Sequence, residues 1–172
     1  MQNELRLSGS GGQGLILAGV ILAEAAVLDG KKAIQSQSYG PEARGGASKA
    51  EVIISDHEID FIKVQNCDLL LCLTQDAYDK YGKDPCKVLI VDENLTLKYP
   101  EPEKVLKLPI IDTASNKLGR PMVANIVALG AINGLLKLVS KESLAEAVLD
   151  RVPKGTEELN KKALEEGYIL AG

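Results

Sequence analysis

No tryptophan occurs in this sequence, histidine occurs once and cysteine three times, and neither sign of charge dominates, with 20 Lys and Arg against 24 Asp and Glu in 172 residues. Each shortage excludes something. A net charge of −4 with scattered basic residues leaves no electrostatic footprint for nucleic-acid phosphates. No apolar run approaches the roughly 18 to 20 residues needed to span a bilayer, and the opening MQNELRLSGS reads as a strand instead of a signal peptide. A cytoplasmic location is expected. Cys67, Cys72 and Cys86 contain no C-x-x-C pair and have no nearby histidine, which leaves a zinc or iron–sulfur site one ligand short. They lie in or beside apolar runs, where reduced cysteines act as small hydrophobes. A mechanism that needs an imidazole must use His57, yet the polar stretch Ser55-Asp56-His57-Glu58 reads as an exposed turn.

Apolar residues, by contrast, are plentiful at 45%. A chain of this size buries about 70% of its unfolded surface. It therefore needs no disulfide or structural metal to fold as one domain over residues 1–172. Leu5 and Leu7 alternate with Glu4 and Arg6 as in a short strand, and residues 15–28 form an almost wholly apolar stretch that predicts a helix buried on most of its surface. Gly30 suits the left-handed position that ends it. Further strands are predicted over 33–38, 50–54, 68–73, 88–91 and 105–110, with a short helix over 75–81. Asp112 or Thr113 can cap a turn of helix, and Pro121 suits the start of a helix that runs to Leu136. The small residues Ala124, Ala128, Gly130, Ala131 and Gly134 on that helix allow another backbone to approach closely. Two amphipathic helices, 141–149 and 156–166, complete the chain. Strands alternating with helices predict a three-layer, doubly wound α/β fold with helices on both faces of a mostly parallel sheet. A hairpin over 55–58 makes that sheet mixed.

Two loops carry the chemistry. Gly9-Ser10-Gly11-Gly12-Gln13-Gly14 matches G-x-G-x-x-G between a strand and a buried helix, the setting in which the pattern has meaning. There the first glycine allows a tight turn, the second lets a phosphate reach the backbone, and the third lets helix and strand close up. Amides at the helix N-terminus then face an anion. An NAD site also needs a carboxylate at the end of the second strand, and this sequence offers Gln35, Ser36 and Gln37 instead. No Lys-Ser/Thr pair follows Gly14, so the loop is not a Walker motif. The alternative is a tight turn with no ligand. The second loop, Ser38-Tyr39-Gly40-Pro41-Glu42-Ala43-Arg44-Gly45-Gly46, sets a phenol, a carboxylate and a guanidinium in a segment shaped by glycine and proline. Arg44 suits bidentate contact with a phosphate or carboxylate; equally, it can order the loop by contacting Glu42 or a carbonyl.

Taken together and in this order, the two loops resemble those of the γ subunit of the 2-oxoacid:ferredoxin oxidoreductases. The resemblance extends to Cys67-Asp68-Leu69-Leu70 and to Pro121-Met122-Val123-Ala124-Asn125, and so over nearly the whole chain. It implies a component of a complex that decarboxylates a 2-oxoacid, sends electrons to ferredoxin and captures the acyl group on coenzyme A. Thiamine diphosphate then lies between the partner α and β subunits, and the iron–sulfur clusters lie in β or in a small ferredoxin-like δ subunit. The γ part carries neither, meets α, and is associated with the coenzyme A side of the active site. On this resemblance Gly9, Ser10, Gly11, Gly12, Gln13, Gly14, Tyr39 and Arg44 are the coenzyme A-binding candidates, no catalytic residue or metal ligand is expected, and 2-oxoglutarate is the favoured substrate. The resemblance also suits the form in which γ is its own polypeptide. Two other classes compete: a free-standing Rossmann-like nucleotide-binding protein, and an interaction module whose loops only shape an interface. The first lacks a placed His, Lys or Cys cluster for acid–base or nucleophilic work.

Overall fold

A computed structural model describes residues 1–38 and 46–172, so Tyr39, Arg44 and the loop between them lie outside the described residues. Strands β1 (Gln2–Ser10), β2 (Lys32–Gln37), β3 (Ala47–Ser55), β4 (Leu69–Cys72), β5 (Val88–Asp92) and β6 (Lys104–Leu108) form one six-stranded sheet in the order β2-β3-β1-β4-β5-β6. From β1 to β6 the neighbours are parallel, whereas β3 is antiparallel to both β1 and β2. The sheet is therefore mixed, but not through a hairpin over 55–58. The chain reverses between β2 and β3, and residues 56–68 instead carry it past β1 to β4. The reason is local: this polar connection has no strand to offer, and buried carboxylates pin it in place. Glu4 accepts hydrogen bonds from the Gln65 and Asn66 amides at 2.7 and 3.2 Å, and Glu51 accepts one from Val64 at 3.3 Å. His57 stands in an exposed bend at the start of the connection.

Helices α1 (Leu15–Leu28), α2 (Gln75–Tyr81), α3 (Ile110–Asp112), α4 (Ala124–Leu136), α5 (Lys141–Arg151) and α6 (Glu157–Ala171) cover the sheet unequally. The period-2 alternation of β1 explains the division. Leu5 and Leu7 join Val52, Ile54, Leu69 and Leu71 in a large core beneath α1, α4, α5 and α6. Glu4, Arg6 and Ser8 face the other way. There Leu70, Cys72, Leu89 and Val91 make a smaller core with α2, and Arg6 pairs across strands with the buried Glu51 at 2.8 Å. Burial pushes the Cys67 and Cys72 thiols up to about 12, as expected of cysteines that serve as hydrophobes.

The later part of the chain largely follows the sequence. Asp112 and Thr113 cap nothing with their side chains: α3 runs into a π-helical turn, Thr113–Lys117. Pro121 begins a 3-10 turn, Pro121–Val123, that leads into α4. The small residues of α4 meet α6 at a crossing so close that a methyl group on Gly130 would overlap the Leu164 carbonyl oxygen, and one on Gly167 the Val127 carbonyl oxygen. Helix α1 is buried on most of its surface, as expected, with one exposed strip. Its Leu15, Ala18, Ile21, Leu22, Ala25 and Ala26 are buried, but a stripe through Ile16, Val20, Ala23, Val27 and Leu28 is covered only in part by the described residues, leaving Val27 60% and Leu28 51% exposed. Among the described residues no helix is long and apolar enough to cross a membrane.

Candidate functional site

The glycine segment occupies the point where the sheet changes direction of travel. From the carboxyl end of β1 the chain turns to α1 on one face, and from the neighbouring β4 it turns to α2 on the other. Strand ends diverging in this way leave a crevice, the place where open α/β sheets bind ligands. The motif's residues divide the work differently from the sequence expectation. Gly9 and Ser10 are the last residues of β1, so Gly9 makes no turn. Its missing side chain leaves room for Gln13, whose Oε1 accepts the Ser10 N–H at 2.8 Å while its own N–H donates to the Ser10 carbonyl at 3.2 Å. The turn itself is made by Gly11 and Gly12, both exposed, and a Cβ on Gly12 would meet nothing within 4 Å.

Gly14 is the residue whose backbone demands glycine. It caps α1 with φ +70°, in the left-handed region, and a Cβ there would come within 2.7 Å of Asn125 Nδ2. That amide nitrogen donates to the Gly14 carbonyl at 3.1 Å and ties the loop to the first turn of α4. No side chain caps the N-terminus of α1 and no acidic residue lies in its first turn. Its dipole and first amides thus face the crevice without a capping side chain or first-turn carboxylate among the described residues. By contrast, Thr74 Oγ1 caps α2 by accepting the Ala77 N–H at 3.2 Å, and Asp76 sits in its first turn. Beside the loop lies a cleft of about 260 Å³ lined by Gly12, Gln13, Leu17, Met122, Asn125 and Pro153 among others, with Met122 71% exposed at its edge.

Sequence reasoning had placed Asn125 in a resembling segment without a role, and had no role for Met122. Nothing in one sequence marks an asparagine 111 positions from its partner, and an exposed methionine carries no local pattern. The second loop is flanked at this same end of the sheet, because β2 runs in the direction of β1 and Ala47 pairs with Ser10. Ser38, which opens that loop, has its hydroxyl oxygen buried with no hydrogen-bond partner among the described residues. No carboxylate stands at the end of β2, where Gln35 Nε2 donates to Gln37 Oε1 at 2.8 Å. Among the described residues no group of three or more His, Cys, Asp or Glu is arranged to hold a metal ion.

Comparison with known proteins agrees with this architecture. The family model described as pyruvate ferredoxin/flavodoxin oxidoreductase matches residues 4–170. The 2-oxoglutarate synthase subunit KorC of Methanocaldococcus jannaschii is 58% identical over 178 aligned positions, covering 99% of this chain and 95% of that protein. Among solved structures, the γ subunit of a keto/oxoacid ferredoxin oxidoreductase from Geobacter sulfurreducens superimposes with a TM-score of 0.87 at 56% identity, covering 98% of both chains. The 2-oxoglutarate:ferredoxin oxidoreductase of Magnetococcus marinus, solved with 2-oxoglutarate, coenzyme A and succinyl-CoA bound, shares the fold with a TM-score of 0.85 at 23% identity. There the match takes in 99% of this chain but only 31% of the other. With the family match running almost from end to end and close relatives of the same length, this chain belongs to the pyruvate ferredoxin/flavodoxin oxidoreductase family.

Proposed function

We infer that the chain is the γ subunit of a 2-oxoglutarate:ferredoxin oxidoreductase, acting as one domain that contributes to assembly and to part of the coenzyme A site. The observation that carries the reading is the 58% identity, along nearly the full length of both proteins, to a 2-oxoglutarate synthase subunit. The overall reaction converts 2-oxoglutarate, coenzyme A and oxidised ferredoxin to succinyl-CoA, carbon dioxide and reduced ferredoxin. Thiamine diphosphate between the partner α and β subunits supplies the decarboxylation, and iron–sulfur clusters in β or in a small δ subunit supply the electron transfer.

The part left to this chain is recognition of an anion. The uncapped N-terminus of α1 and the open turn at Gly11 and Gly12 suit a pyrophosphate, since backbone amides accept close approach only where no side chain intervenes. The strand beside β1 on the β2 side is β3, which presents Ala47 and Ser48 at this end instead of a carboxylate, and this favours coenzyme A over a dinucleotide, whose ribose hydroxyls need one. Arg44 and Tyr39 supply a guanidinium for phosphate and a ring for adenine.

The test uses the assembled complex, with reduction of ferredoxin followed against 2-oxoglutarate, pyruvate and a branched-chain 2-oxoacid in turn. Preference for 2-oxoglutarate is expected, and a preference for either alternative overturns the substrate assignment. Gly11→Val and Arg44→Ala then address the loops. Intact assembly with a raised KM for coenzyme A is the expected result, whereas lost assembly with unchanged KM marks the loops as interface only. Tight binding of NAD(H) by the purified chain, with turnover, overturns the reading altogether.

A further inference from the structure

The apolar stripe of α1 calls for a cover that the described residues do not supply. A helix apolar on every side is a buried helix, yet Val20, Ala23, Val27 and Leu28 line an open groove of about 530 Å³ between α1 and α5. The groove is contiguous with the edge of the sheet, because Gln35 of β2 also lines it. Its rim is acidic. Glu24, Glu146 and Asp150 surround it, and the neighbouring cation is Arg151, which is paired with Glu24.

The edge itself is prepared for a further strand. The Ser38 N–H donates to the Lys49 carbonyl at 3.2 Å, and this fixes the phase of the antiparallel ladder between β2 and β3. Ile34 and Ser36 then exchange hydrogen bonds with β3, while the N–H and C=O groups of Ala33 and Gln35 turn outward. Proteins usually protect such an edge with proline, a bulge or lysines. The six residues of β2 pair with β3 without a bulge, contain no proline, and carry a single lysine at their start, Lys32. The opposite edge, β6, has two lysines in five residues.

We propose that the β2 edge and the α1–α5 groove form one docking surface, on which an extended segment of a partner subunit adds to the sheet as a strand. This rests on the reading of the chain as one subunit of an oxidoreductase complex. Main-chain bonds to Ala33 and Gln35 supply the attachment, and alternate side chains of the added strand fall towards the groove. The chemistry of that segment follows from the walls: an aliphatic side chain to meet Val20, Ala23 and Val27, flanked by lysine or arginine to face Glu146 and Asp150. A second copy of this chain is a poor occupant. Pairing two β2 edges would set the two acidic rims side by side, where like charges repel.

Hydrogen exchange on the isolated chain and on the complex reconstituted from co-expressed subunits tests this residue by residue. In the isolated chain the Ala33 and Gln35 amides exchange fast, and Ile34 and Ser36 are already protected. In the complex Ala33 and Gln35 are expected to slow by about tenfold or more, the effect of a gained main-chain bond, with little change at Ile34 and Ser36. Gln35→Pro removes an outward N–H that β3 does not use, and is expected to weaken assembly by about tenfold. The exposed pair Glu146→Lys and Asp150→Lys is expected to weaken assembly at low salt and less at high salt. Should Gln35→Pro misfold, the exchange pattern and the charge reversal decide. Unchanged exchange at Ala33 and Gln35 with wild-type assembly of the charge-reversed variant overturns the proposal. So does self-association of the chain that Gln35→Pro abolishes while assembly is untouched. Failure of the wild-type chain to recruit any partner subunit overturns the functional reading and this inference with it; wild-type assembly by every variant overturns this inference alone.

Discussion

Glycine is used in opposite ways at two places in the molecule. Between β1 and α1, Gly12 faces open space and Gly14 adopts a backbone angle that side chains resist. Between α4 and α6, Gly130 and Gly167 have ordinary helical backbones, and their missing methyls are filled by the other helix's main chain. The same residue thus keeps a surface accessible in one region and seals an interior in the other. A glycine-rich stretch is evidence of ligand binding only where the vacated space remains empty.

Substitutions at these positions sharpen the contrast. The largest loss of stability is expected at the helix crossing. Gly167→Ala or Gly130→Ala gains about 1 kcal/mol of helix propensity, but the new methyl meets backbone that cannot move aside without parting α4 from α6. A net loss of about 2 kcal/mol is expected from such overpacking, read as a lowered denaturation midpoint in urea. Gly14→Ala comes next, at about 1 to 2 kcal/mol for the left-handed conformation, with displacement of Asn125 in addition. Asn125→Ala removes the tie to the Gly14 carbonyl and is expected to cost about 1 kcal/mol. In the assembled enzyme it should also raise the KM for coenzyme A, because the loop loses its support. Gly12→Ala should leave stability within about 0.5 kcal/mol and still raise the KM for coenzyme A. A Gly12→Ala variant that is unstable, or a Gly167→Ala variant that is not, would break the comparison.

These two regions also show how much of the molecule was legible in the sequence. The helix crossing could be anticipated from Gly130 and Gly134 on an apolar helix, because small residues in helices have few other uses, although its partner glycine on α6 could not be named. The strand–glycine–helix unit was legible from hydrophobic period and motif together. Its internal roles were not: Gly9 belongs to the strand, and Gly14 depends on Asn125, a residue brought near only by the tertiary fold. The reversal of β3 escaped detection because a strand's direction leaves no mark on its own residues. Pairing partners decide it, and the polar stretch 55–58 reads as a hairpin turn, whereas it opens a long connection whose residues 64–66 are held by Glu4 and Glu51. The burial of most of α1 was legible in its apolar run, but not which strip of it stays open, since that depends on where the neighbouring elements pack.

The reversed strand also bears on selectivity. In a dinucleotide-binding sheet the strand that follows the first crossover lies beside β1, about 4.8 Å away, close enough for its terminal carboxylate to meet a ribose bound over the glycine loop. Here β3 takes that place and β2 lies one strand further out. On this connectivity Gln37→Asp places its carboxylate one strand too far from the loop to grip the sugar, and titration of the variant with NAD(H) is expected to show no gain in binding.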